Sequence, residues 1–126
     1  MVSEEIKNFV YRYFENIEQL RIVLLLHGDP NRDLSLLEIC SRVYLPPDRA
    51  IAEIQKLEKK GLVGMHTEGD RTTFRYFPQS EEIAHSIDTL AVMDREMPVT
   101  LINLIYDRSR RQLRIFADAF RLKKDE

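Results

Sequence analysis

The sequence predicts a mainly α, α+β chain in which a series of short helices is interrupted by one β-hairpin. Three observations carry that prediction. Apolar residues recur at helical spacing on both sides of a central region. Two short helices in that region have sharply written ends, at Ser35-x-x-Glu38 and between Pro47 and Gly61. Leu62 to Thr67 and Thr72 to Phe77 then read as two strands around Glu68-Gly69-Asp70-Arg71, where Gly69 supplies the positive φ of a tight loop.

Ser3 is placed to cap a first helix carrying Ile6, Phe9, Val10, Tyr13 and Phe14 on one face. The pattern continues through Ile17, Leu20, Ile22, Val23, Leu24 and Leu26, as one bent helix or two abutting ones. Gly28 and Pro30 end it. Ser35 and Glu38 form a capping box, and Leu34 and Ile39 occupy the staple positions around it. That helix ends by Val43-Tyr44, because a residue before proline avoids helical dihedrals and Leu45-Pro46 must turn.

Pro47 suits the first position of the next helix, where its missing N–H costs nothing. Asp48 in its first turn and Lys59-Lys60 in its last complement the helix dipole. Ala50, Ile51, Ile54 and Leu57 form its predicted buried face, and Gly61 fits the left-handed position beyond its end. After Pro78, helical spacing resumes with Ile83, Ile87, Leu90 and Ala91, then Leu101, Ile102 and Ile105. Pro98 predicts a kink or break near Asp94, whose carbonyl its ring would strike. A last helical stretch carries Leu113, Phe116, Ala117 and Phe120.

Short capped helix, tight turn, second helix, glycine and hairpin is the order of a winged helix-turn-helix. The predicted organisation is a single domain, 1–126, with its winged-helix core at about 16–78. A helix at 3–15 and helices at 81–122 flank that core as expected dimerisation elements. Within the core, L-P-P-D-R-A-I-A-E-I-Q-K-L-E-K-K-G-L-V, from Leu45 to Val63, resembles the recognition helix and following strand of bacterial regulators of the MarR, PadR and ArsR type. Leu45, Ala50, Ile54, Leu57, Gly61, Leu62 and Val63 fill the shared pattern without a gap, and the resemblance spans about half the chain. It implies a cytoplasmic transcriptional regulator that binds double-stranded DNA as a homodimer, held by helices on either side of the winged helix.

Such a domain lays its second helix in the major groove, while the hairpin reaches phosphates or the minor groove. The predicted base-facing and positioning residues are Pro47, Asp48, Arg49, Ala52, Glu53, Gln55 and Lys56, with Lys59 also on the solvent side. Arg49 is the strongest base-contact candidate. Ala52 is too short to reach a base, and Glu53 is repelled by phosphate, although it can accept from a cytosine amine. On the hairpin, Arg71, Thr73 and Arg75 share one strand face and would grip phosphates.

A formal net charge of −2 and a pI near 6.0 run against DNA binding, since phosphate contact draws on a basic surface. With Asp48, Ala52 and Glu53, they support the alternative of a winged helix that binds protein instead. The densest basic cluster, Arg108, Arg110, Arg111 and Arg114, reads as a solvated helix face. A small-molecule effector would sit between the hairpin and the C-terminal helices, although aromatic residues there serve packing first.

Catalytic chemistry finds no support. His27, His66 and His85 lack ligand spacing, and His27 reads as a cation at a helix C-terminus. Asp29-x-Asn31-x-Asp33-x-Ser35 opens like an EF-hand loop, but Leu34 stands where glycine is needed and Cys40 where glutamate is. No enzyme activity, metal or cofactor is expected. Cys40, the one cysteine, forms no intramolecular disulfide and reads as a small buried core residue. The acidic Met1-Val2-Ser3-Glu4-Glu5 start differs from a signal peptide, and no apolar run is long enough to span a bilayer.

Overall fold

The computed structural model describes residues 2–124, with the side chains of residues 109, 111–113 and 120–124 excepted. The N-terminal helical run is two helices, α1 (Glu4–Tyr13) and α2 (Ile17–His27). Ser3 caps α1 by accepting from the Ile6 N–H at 3.2 Å. The chain leaves α1 through extended Phe14, whose side chain is fully buried. That burial is worth about 1.5–3 kcal/mol and pins the α1–α2 junction against the core. Asn16 caps α2, its Oδ1 accepting from the Gln19 N–H at 2.8 Å.

The helix-turn-helix consists of α3 (Leu36–Val43) and α4 (Pro47–Lys59). Both halves of the capping box form, Ser35 Oγ accepting from Glu38 N–H and Glu38 Oε1 from Ser35 N–H, each at 3.2 Å. Those bonds to Ser35 hold the Glu38 carboxyl below the usual carboxylate range, aided by the charges of Arg32 and Arg42. Leu34 and Ile39, the staple pair, are both buried. The turn places Tyr44, 86% exposed, at φ 59, a left-handed conformation costly for an aromatic residue. Pro47 starts α4, and Gly61 follows it at φ 82, as expected.

The hairpin strands are β2 (Val63–Glu68) and β3 (Arg71–Tyr76), paired from Val63↔Tyr76 to Glu68↔Arg71 across the loop Gly69-Asp70. A third strand, β1 (Leu34–Ser35), joins the free edge of β3 with Leu34↔Phe74 and Ser35↔Thr73, giving the order β1-β3-β2. It escapes sequence reading because two residues carry no alternation. Ser35 serves both the sheet and the α3 cap.

Beyond the hairpin lie α5 (Glu81–Glu96) and α6 (Pro98–Lys124). Pro98 breaks the helix, but at Met97 rather than near Asp94. The chain turns so that Pro98 becomes the first residue of α6, where its ring meets no preceding carbonyl of the same helix. The expected separate last stretch is the continuation of α6. One core runs from Ile6 through the helix-turn-helix and hairpin to Ile105, including Ile87, Leu90, Leu101 and Leu104. Farther along α6 the apolar residues change environment: Ile115 is 61% and Phe116 70% exposed.

One smaller expectation is corrected. Cys40 is half-buried rather than a core residue. His27 closes α2 as the basic residue of its last turn, as expected, and its Nε2 also lies 2.8 Å from Asp88 Oδ1 while its ring meets Tyr76 edge-on, so it links α2, α5 and β3.

Candidate nucleic-acid interface

α4 packs Ala50, Ile54 and Leu57 into the core and leaves Pro47, Asp48, Arg49, Ala52, Gln55, Lys56 and Lys59 exposed, with Ile51 half-buried. Its N-cap is Pro46, and no side chain caps its first turn. Six of the seven residues predicted for this face are therefore on it.

Glu53 is the exception. It was expected to face solvent, but it is only 4% exposed, turned toward the start of α2. Its Oε2 accepts from Gln19 Nε2 at 2.7 Å and from Asn16 Nδ2 at 3.1 Å. The opposite ends of both amides are also occupied: Asn16 Oδ1 caps α2, and Gln19 Oε1 accepts from the Glu15 N–H at 2.9 Å. Each amide thus has one orientation that satisfies the set. The positive end of the α2 dipole and two donors compensate the buried charge.

The cations beside Glu53 are paired as well. Arg49 lies 3.5 Å from Glu53 and 3.7 Å from Glu18, and Lys56 lies 3.4 Å from Glu15 and 4.0 Å from Glu53. Lys60 lies 3.5 Å from Glu15 and donates to the Tyr13 carbonyl at 3.1 Å. Burial pushes the Glu15 carboxyl up, but Lys60 and Lys56 together outweigh it and hold the group below its ordinary range. Sequence reading missed the roles of Glu15, Asn16, Glu18 and Gln19. The Asn16-x-x-Gln19 spacing, a helix-start signature, was the signal available.

On the hairpin, Arg71 and Arg75 are exposed on one face of β3 with half-buried Thr73 between them. Thr73 Oγ1 donates to the His66 carbonyl at 3.5 Å, and the Arg75 guanidinium lies 5.6 Å from the centre of the Phe77 ring. The arginines of α6 have other surroundings. Arg108 Nε donates to the Tyr11 carbonyl at 3.0 Å, tying α6 to α1, and Arg110 pairs with Asp107 at 3.6 Å. Arg114 is exposed, and the Arg111 side chain lies outside the described residues.

Open grooves run between α2 and α5, past His27, Asp88 and Arg95, and between α2, the end of α3 and α6, past Arg21, Tyr44 and Ile102. Neither includes a hairpin residue, unlike the effector pocket anticipated from the sequence. Among the described residues, no cluster of three or more His, Cys, Asp or Glu could hold a metal ion, and no helix is long and apolar enough to cross a membrane.

No protein-family model and no curated protein matches the sequence. Solved structures do match. A homodimeric winged helix-turn-helix DNA-binding domain from Mycobacterium bovis, a possible ArsR-family transcriptional regulator, is 25% identical over 69% of this chain and 76% of that one, with a TM-score of 0.55. HlyU from Vibrio cholerae is 22% identical over 77% of this chain and 98% of its own, at a TM-score of 0.56. MepR of S. aureus, solved with DNA, is 10% identical over 97% of this chain and 89% of its own, at 0.57. The fold is a winged helix-turn-helix with a helix before it and two after it. The structural likeness agrees with the sequence resemblance to bacterial winged-helix regulators.

Proposed function

We propose that this chain is a cytoplasmic, DNA-binding transcriptional regulator that acts as a homodimer. The observation that carries this reading is the pairing of an exposed second helix, α4, with a hairpin whose outer face bears Arg71 and Arg75. α4 enters the major groove with Pro47, Asp48, Arg49, Ala52, Gln55 and Lys56 toward the DNA, while Arg71, Thr73 and Arg75 hold phosphates. Glu53 is not among the base contacts, because it is buried. The likeness to a homodimeric DNA-binding domain and to a regulator solved with DNA supports the same reading.

The distal half of α6, with Ile115 and Phe116 exposed, supplies an apolar surface for a second copy. A two-fold axis there presents the two α4 helices to half-sites about 34 Å apart. Replacing Ile115 and Phe116 with lysine is expected to shift the protein from dimer to monomer in sedimentation velocity, without loss of the core helices.

The deciding experiment is binding to mixed genomic DNA fragments across a salt series. Saturable binding that weakens steeply with salt is the expected result. A second reading, a winged helix that binds protein, is favoured by the internal pairing of Arg49, Lys56 and Lys60. It becomes the working reading if the folded protein binds no DNA even at low salt.

A further inference from the structure

The two carboxylate oxygens of Glu53 do different things. Oε2 is fixed from below by Gln19 and Asn16, amides whose other ends are already committed to the α1–α2 junction. That leaves Oε1 directed along the edge of α4, toward Arg49 one turn earlier and Lys56 one turn later. Glu18 and Glu15 complete the same edge by meeting the two cations from α2 and its approach. A freely rotating surface carboxylate could not impose this, because solvent and rotamer entropy weaken an exposed pair. The Glu53 side chain is 5% exposed, and its bonds to Gln19 and Asn16 give the carboxylate one orientation.

We propose that Glu53 is a positioning residue for DNA reading: clamped by Asn16 and Gln19, it holds Arg49 and Lys56 against the α2 side of the recognition helix. This rests on the DNA-binding reading above and deepens it. With the two cations held at its edge, the centre of the DNA-facing row, unpaired among the described residues, is Asp48, Ala52, Gln55 and Lys59. That row is short and nearly neutral, so it grips phosphates of arbitrary sequence weakly. Arg49 and Lys56 contribute where DNA geometry brings a phosphate or guanine edge close enough to compete with Glu18, Glu15 and Glu53. The device suppresses sequence-indifferent binding, the component that counterion release drives.

The test is Glu53→Gln. The new amide keeps an oxygen for Gln19 but turns an NH2 group toward Arg49 and Lys56, which releases them. Two readouts are taken on the full chain, with the melting temperature measured beside them to separate release of the two cations from a general loss of packing. Binding to random-sequence duplex DNA should tighten several-fold, with the slope of log K against log salt steepening by about 1 to 2. The Arg49 Nε–H, followed by NMR without DNA, should exchange faster with water than in the wild type. Glu18→Gln, a surface change that spares the buried amides, should move both readouts in the same direction by less, and it replaces Glu53→Gln should that variant fail to fold. An unchanged salt slope in a folded variant that binds DNA overturns the proposal, as does an unchanged Arg49 exchange rate. Faster Arg49 exchange with no DNA binding by either protein instead overturns the DNA-binding reading on which the proposal rests.

Discussion

Arg49 and Lys56 on α4 each stand within 4.0 Å of two carboxylates, whereas Arg71 and Arg75 on β3 meet none among the described residues. The two groups have the same charge and comparable exposure, yet only the first is joined to the core. Glu53 connects α4 to buried Gln19, and Gln19 connects to the junction that Phe14 anchors. The hairpin tip, by contrast, has exposed Met65, His66, Glu68 and Arg71 around a two-residue loop. The difference teaches that the Arg49–Lys56 edge of α4 cannot lose Glu53 without disturbing buried packing, while the hairpin arginines can change without touching the core.

Substitutions at buried positions should break the contrast most. Leu57→Ala, inside α4, is expected to cost about 2–5 kcal/mol in urea unfolding, since its fully buried side chain leaves a cavity. Met65→Ala on the hairpin should stay within about 0.5 kcal/mol. Equal losses at the two sites would remove the distinction.

Glycine replacements sharpen it next. Gly61 (φ 82) follows α4, and a Cβ there would strike the Gln79 side chain, whereas Gly69 (φ 62), at the hairpin tip, has open space around it. Gly61→Ala should therefore cost about 1–2 kcal/mol, because the exposed Gln79 side chain must also move aside, and Gly69→Ala about 1 kcal/mol, the latter from left-handed backbone alone. Thermal unfolding of the pair measures the difference.

Reversing the hairpin charges tests the functional side. Arg71→Glu with Arg75→Glu should lower DNA affinity on the order of ten-fold, about 1.4 kcal/mol, and flatten its salt dependence. The melting temperature should not move. A fall in stability comparable to the loss of binding would mean that these arginines serve the fold.

The smallest effect is expected at the root of the hairpin, where Tyr76 sits against His27. Its hydroxyl is buried with no hydrogen-bond partner among the described residues, and burial, with the charge of Asp88, pushes its pKa from 10.0 up to about 12. An unfolded chain ionises this group first, so the group leaves stability undiminished below pH 10 and lowers it as pH rises from 10 toward 12. Tyr76→Phe should raise stability at neutral pH by up to about 1 kcal/mol and lessen the alkaline decline. Melting temperatures across pH 8 to 11 would show both, and an unaltered alkaline slope would contradict the assignment.

Local chemistry made much of this protein legible in its amino acids. The Ser35–Glu38 box, Pro47, Gly61 and Gly69 act through backbone conformation within a few residues, so the helix-turn-helix and hairpin were readable as written. The exposed row on α4 was largely readable too, because 3.6-residue periodicity separates a buried face from a solvated one. Tertiary structure decided the rest. Whether Glu53 faced water or protein depended on Asn16 and Gln19, 37 and 34 residues away in the chain. β1 exists only because β3 offers it an edge. α6 is continuous because Met97 turns before Pro98 and lets the proline begin a helix rather than interrupt one. Sequence patterns determine what each segment can form and which side it buries; only packing selects which neighbour covers that side, because partners far apart in the chain leave no local signature of their meeting.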